Sequence, residues 1–222
     1  MTTTSTRGVT LGQTVREFWR HPTPWMILAL VVGAVGARTV VGGLALRDLW
    51  APLVLALLFP FVEWVIHVFI LHWRPRKLGP VTVDTLVARD HRRHHANPRD
   101  IDLVFIPTPT LPWLIAAIVA LPLGIGALVG APVSATLSFI VVESLILMGY
   151  EWTHYLVHTD YKPRHRLYKA VWRNHRLHHF KNEHYWFSVT TSGTSDRVLG
   201  TYPDPATVET SPTAKNLHGS RL

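Results

Sequence analysis

Apolar runs alternate along this chain with basic, histidine-rich segments, and the lengths of the runs dictate the architecture. Four stretches, residues 24–46, 52–73, 111–129 and 132–150, consist largely of aliphatic, aromatic and small residues. Each is close to the ~20 residues with which a helix crosses a ~30 Å hydrocarbon core. They fall into two pairs, each joined by a short turn, and so predict two transmembrane hairpins. Ahead of them, residues 11–20 have the pattern of a short amphipathic helix lying on the membrane surface. Behind them, residues 203–222 are rich in Pro, Thr and Ser and predict a flexible tail. The expected layout is a cytosolic segment over 1–23, one membrane domain over 24–202, and the tail.

Charge orients the hairpins. The formal net charge is +8, but the basic residues do not form the continuous patch that nucleic acid would need. Three lie in residues 1–23, seven in 73–107 and ten in 159–222. Only Arg47 lies between the first two spans, and the turn at Gly130-Ala131 has none. By the positive-inside rule both termini and the 73–107 loop are cytoplasmic. With 17 Arg against 5 Lys, composition favours a bacterial plasma membrane, or the endoplasmic reticulum if the chain is eukaryotic. Cysteine is absent, which excludes disulfides, thiolate zinc sites and iron–sulfur clusters.

The polar segments carry the chemistry, and they carry it twice. Glu63-Trp64 is followed by His67 and His72, then by His91, His94 and His95; Glu151-Trp152 is followed by His154 and His158, then by His175, His178 and His179. All ten histidines fall on the predicted cytoplasmic side. Imidazole is the commonest neutral ligand for first-row transition metals, and ten exceed the coordination of one ion, so two metals are expected. At 100° per residue, His91 with His95, His154 with His158 and His175 with His179 each share a helical face. His67 and His72 are about 140° apart on an α-helix, so they are expected to serve different metals or to span a fraying end.

Glu63 and Glu151 stand four and three residues before a histidine, within helical reach of its ring. A carboxylate that takes the outer ring N–H of a ligand fixes its tautomer. Both are expected in that role, with Asp90 and His184 as further orienting candidates. Asp100 and Asp102 read equally as turn and capping residues. Trp64 and Trp152 fit an interfacial aromatic belt. Arg38 and Glu143 fall at similar depth in the first and fourth spans, and an ion pair between them would join the hairpins.

At these residues the sequence resembles the fatty acid hydroxylase superfamily of integral-membrane di-iron oxygenases, which includes fatty acid 2-hydroxylases, sterol desaturases and carotene hydroxylases. The matching segments are EWVIHVFILH (63–72), HRRHHANPRDIDLVFIP (91–107), EWTHYLVH (151–158) and residues 174–201. The resemblance implies an all-α fold of four transmembrane helices under a helical cytosolic cap. It also implies two iron ions on the ten histidines, with zinc a possible occupant of a purified sample. The implied reaction is O2-dependent hydroxylation of an unactivated lipid C–H bond. A fatty acyl chain is the first substrate class, with carotenoid or sterol hydroxylation or desaturation as the alternative. No His-Pro-Gly-Gly haem motif is present. The implied electron donor is therefore a separate protein, cytochrome b5-like or a ferredoxin with its reductase. A bis-histidine haem protein would instead need facing histidines inside the bundle, and a metal transporter would need ionisable ligands near the midplane. The clustering at one end favours neither.

Overall fold

The computed structural model describes residues 9–219. Its long helices are α2 (Pro22–Val41), α3 (Trp50–Val65), α5 (Leu111–Leu128) and α6 (Val133–His158). Four segments are long and apolar enough to cross a bilayer: Pro22–Val41, Leu46–Leu71, Leu111–Leu128 and Val133–His158. Many of their large side chains are exposed, among them Val32, Leu57 and Leu121 at about 62–66%, which is what a lipid-facing surface requires. Prolines punctuate these spans. Pro22 and Pro24 open α2, where the missing N–H is not needed, whereas Pro60 and Pro122 lie inside helices.

Helix α6 is the hub, packing against α2, α3 and α5. It runs eight residues past the expected end at Tyr150, so Glu151, His154 and His158 remain on one unbroken helix. Beneath the spans lie α4 (Leu86–Ala96) and α7 (Arg166–Phe180), which carry the two His-x2-His-His motifs, and the short α8 (Thr194–Val198). A hairpin of β1 (Arg76–Leu78) and β2 (Val81–Val83) links α3 to α4. Thr85 caps α4 by accepting the amide of Ala88.

Helix α1 (Leu11–Phe18) starts at a capping box between Thr10 and Gln13. It buries Thr14 and Phe18 and leaves Leu11 and Val15 exposed. Phe18 packs among Phe105, Trp152 and Tyr155, and the Tyr155 hydroxyl donates to the Thr14 carbonyl at 3.1 Å. The amphipathic segment is thus seated at the base of α6.

Two expectations are corrected. The stretch after residue 202 does not behave as its composition predicts over the part described, residues 203–219. Its Ala214 and Leu217 are 4% and 1% exposed, and Ser211 donates its amide to the Lys181 carbonyl at 2.7 Å. Packing against the cap outweighs the polar composition. Arg38 also does not pair with Glu143. It bonds Asp48 at 3.2 Å, Ser138 at 2.8 Å and the Gly42 carbonyl at 2.8 Å. Residues 46–49 form a 3₁₀ turn that folds back over the bundle and brings Asp48, 0% exposed, nearer to Arg38 than Glu143 is.

Candidate metal centre

The ten histidines form two adjoining clusters. One holds His67, His72, His91, His95 and His178; the other holds His94, His154, His158, His175 and His179; within each, one ring nitrogen per residue lies within 4.8 Å of all the others. Neither cluster belongs to one half of the chain. Each draws four histidines from one copy of the motif and takes the middle histidine of His-x2-His-His from the other copy. The ring of His95 lies 4.1 Å from that of His179, so the clusters share a wall.

Both His67 and His72 join the first cluster, which corrects the expectation that they diverge. From Ile66 to Leu71 the helix widens into a π-turn, and the His72 amide bonds the His67 carbonyl five residues back at 3.0 Å. The i to i+5 repeat of that turn brings the two rings onto one face, 5.0 Å apart. A π-turn leaves no periodicity in sequence that distinguishes it from an α-helix.

Backbone carbonyls set the rings. Nδ1 of His67 faces the Phe187 carbonyl at 2.6 Å, and those of His154, His158, His178 and His95 face the carbonyls of Val104, Pro98, Tyr185 and Ala214 at 2.8–2.9 Å. A carbonyl only accepts, so each of these five rings carries its proton on Nδ1 and turns the lone pair of Nε2 inward. Sequence reasoning missed these five residues because they act through the main chain, where any side chain is compatible with the role.

Glu63 and Glu151 act one step further out than expected, because a loop stands between each carboxylate and the ring. Glu63 accepts the amides of Val189 at 3.1 Å and Thr190 at 2.9 Å and the Thr190 hydroxyl at 2.9 Å. It thereby fixes the loop whose Phe187 carbonyl holds His67. Asp196 grips the same loop through the amides of Phe187 and Ser188, both at 2.9 Å. Glu151 accepts the Ile106 amide at 3.1 Å and fixes the loop whose Val104 carbonyl holds His154. In both copies the glutamate of one half anchors the loop of the other. Asp90 bonds Arg93 and reaches no histidine, and His184 is exposed beside Glu183. Neither therefore orients a ring. Asp100 accepts the Asp102 amide and serves as a turn residue. Trp64 donates to Thr201 at 3.0 Å, and Trp152 packs on Phe18.

The clusters suit a cation. His67, His94, His95, His175, His178 and His179 are at most 1% exposed. Burial first, and neighbouring rings after it, hold His72, His91, His94, His175, His178 and His179 well below the usual imidazole range. Burial likewise pushes His95 down to about 3. The rings are therefore neutral donors at neutral pH. Nε2 of His67, His72, His91, His95 and His178 is buried with no hydrogen-bond partner. In the second cluster Nε2 of His158 lies 3.1 Å from that of His94 and 2.8 Å from that of His175, and His175 lies 3.0 Å from His179. Protons cannot satisfy that set, since the Nδ1 bond of His158 leaves a lone pair on its Nε2 and the three contacts compete for too few hydrogens. Spacings of about 3.0–3.4 Å are those of nitrogens sharing one ion at about 2.1 Å. The residues fit two metals held by nitrogen alone.

An apolar cavity of about 350 Å³ rises from this centre between α3, α5 and α6. His67, His91 and His154 form its floor, and Phe59, Leu114, Ile118 and Leu147 line its walls. Its size and lining are those of a small-molecule site.

A family model described as fatty acid hydroxylase matches residues 52–201. Among characterised proteins, the chain is 30% identical over 197 residues to the Arabidopsis thaliana dihydroceramide fatty acyl 2-hydroxylase FAH1, covering 86% of this chain and 75% of that one. It is 27% identical over 196 residues to the plant's dihydroceramide fatty acyl 2-hydroxylase FAH2, covering 84% and 73%. A solved structure described as full-length scs7p, with only its hydroxylase domain visible, superposes with a TM-score of 0.68 at 20% identity, over 87% of this chain and 69% of that one. The relatives with a stated source are plant proteins and do not fit the bacterial expectation drawn from composition.

Proposed function

The chain belongs to the fatty acid hydroxylase family, and from that premise we propose that it is a membrane-bound di-iron oxygenase hydroxylating the acyl chain of a lipid. The observation that carries the reading is the pair of buried all-histidine clusters flooring an apolar cavity of about 350 Å³. Two iron ions would sit on the ten histidines, and with O2 would supply the oxidising power that no acid or base on a protein has for an alkyl C–H bond. The balance is R–H + O2 + 2 e⁻ + 2 H⁺ → R–OH + H2O, and the electrons come from a separate donor protein. That the relatives are dihydroceramide fatty acyl 2-hydroxylases makes an amide-linked acyl chain the first substrate to try, ahead of a carotenoid or sterol.

The chain's own residues bind, orient and keep dry. Ile146, Leu147 and Ile118 confine an alkyl chain above His67, His91 and His154, and sub-Å placement decides which carbon reacts. The apolar wall excludes water that would intercept an oxidant. The carbonyls of Phe187 and Val104 fix the tautomers of His67 and His154, so the inward nitrogens stay free of protons. On the orientation that the basic residues imply, the clusters face the cytoplasm, where a separate electron donor has access.

The test is lipid analysis of cells with and without the chain, supplied with iron and a working reductant, beside a His94→Ala control. New hydroxylated acyl chains that disappear with His94→Ala are expected. An unchanged lipid profile in membranes that contain the folded protein would overturn the reading.

A further inference from the structure

Helix α6 turns Glu143, Ile146, Leu147, Tyr150 and His154 toward the cavity, a spacing that places them on a single face. Ile146 and Leu147 match a hydrocarbon guest, His154 belongs to the metal centre, Tyr150 adds a phenol one helical turn from it, and Glu143 is the one carboxyl of this face. The Glu143 carboxyl has a buried oxygen, Oε2, with no hydrogen-bond partner. Arg38, the cation its depth suggests, is committed to Asp48, Ser138 and Gly42. The other two carboxylates on the cavity wall are also engaged, Glu63 with Val189 and Thr190, and Asp90 with Arg93. An uninterrupted alkyl chain beside Glu143 would strip it of water and give nothing in return.

We propose that Glu143 is a polar subsite of the substrate channel, and that the lipid accepted here carries a hydroxyl toward the far end of the chain being oxidised. The proposal rests on the hydroxylase reading above. Glu143 precedes His154 by eleven residues, about 16 Å along the helix axis. At about 1.25 Å per carbon of an extended chain, that spans roughly thirteen carbons from the reacting position. A hydroxyl there donates to the carboxyl and restores the bond that burial removed. Between the two ends the chain passes mainly apolar side chains, among them Leu55, Phe59, Leu114, Ile118 and Ile146.

The experiment compares a lipid bearing an amide-linked hexadecanoyl chain with its terminally hydroxylated analogue, using full-length, iron-loaded protein in detergent, with O2 and a reductant system supplied for turnover. Binding is read from thermal shift titrations and turnover from product analysis, for wild type, Glu143→Leu and Glu143→Gln. Wild type is expected to bind the hydroxylated chain about tenfold more tightly, the value of one well-made buried hydrogen bond. Glu143→Gln, which keeps an acceptor, retains most of that preference. Glu143→Leu loses or inverts it, yet without ligand is no less stable than wild type, because no protein group depends on the carboxyl. Equal binding of the two probes by wild type, or an undiminished preference in Glu143→Leu, overturns the subsite. The two readings fail separately. A probe preference without oxidation removes the hydroxylase reading and keeps the subsite, whereas oxidation with no preference does the reverse.

Discussion

Replacing Glu63 with leucine should empty one metal cluster and spare the other. The carboxylate is 3% exposed and accepts two buried amides and one hydroxyl. Leucine fills similar space but accepts nothing. Each buried donor left unsatisfied costs about 1–3 kcal/mol, and since the Thr190 hydroxyl is free to rotate, the loss from the two amides is about 2–6 kcal/mol. That is a large part of the stability of an ordinary domain, so the loop gives way before the bundle does. The Phe187 carbonyl then leaves His67 Nδ1, and loss of such an outer partner lowers metal affinity by about 10–100-fold. The assay is metal content per chain after dialysis against a graded chelator series, with helicity followed alongside. Wild type should retain two ions, Glu63→Leu one, and Glu63→Gln close to two, because an amide oxygen still takes both N–H groups. Glu151→Leu should also lose one ion, from the cluster built on His154, and the double variant should lose both. Equal weakening of both ions in Glu63→Leu, or no weakening with the fold intact, would refute the chain of support drawn from carboxylate to loop to ring.

The remaining predictions concern the same framework. His94→Ala and His178→Ala should each weaken the cluster that takes most of its ligands from the other half of the chain, which spectroscopy of a cobalt-substituted protein would resolve as loss of opposite sites. Metal-free protein should lose stability as pH falls below about 6.5. The cap histidines are held below their unfolded range, so the unfolded chain binds the extra protons; each ring contributes up to about 1.4 kcal/mol per pH unit, down to about pH 3 for His95. Thermal unfolding between pH 7.5 and 5 measures this, and a flat profile would contradict it. Arg38→Leu should destabilise by about 3–5 kcal/mol because it strands the buried Asp48, while the Arg38→Leu, Asp48→Asn pair should recover most of the loss in a double-mutant cycle.

Much of this molecule was legible in sequence because its strongest signals are compositional and periodic. Run length located the four spans, and the doubled spacing of His91 to His95 and His175 to His179 marked faces of α4 and α7. What escaped has a common physical origin. The π-turn at Ile66–Leu71 changes the angular period without changing residue types, so α-helical geometry sends His67 and His72 to different metals or across a fraying end, and neither branch foresees one shared face. Carbonyls such as those of Phe187 and Val104 leave no residue signature, so helical spacing alone sets Glu63 and Glu151 directly against the rings. The fold-back of residues 46–49, which no periodicity announces, makes Asp48 the partner of Arg38 in place of Glu143. The segment around Ala214 reads as loose from its Pro and Thr content, yet its carbonyl holds His95.

The swap of His94 and His178 between clusters bears on how such a protein is made in the cell. A nascent chain that ends before α7 has no finished pocket of either kind, so a reactive ion is not captured until the whole enzyme has come together.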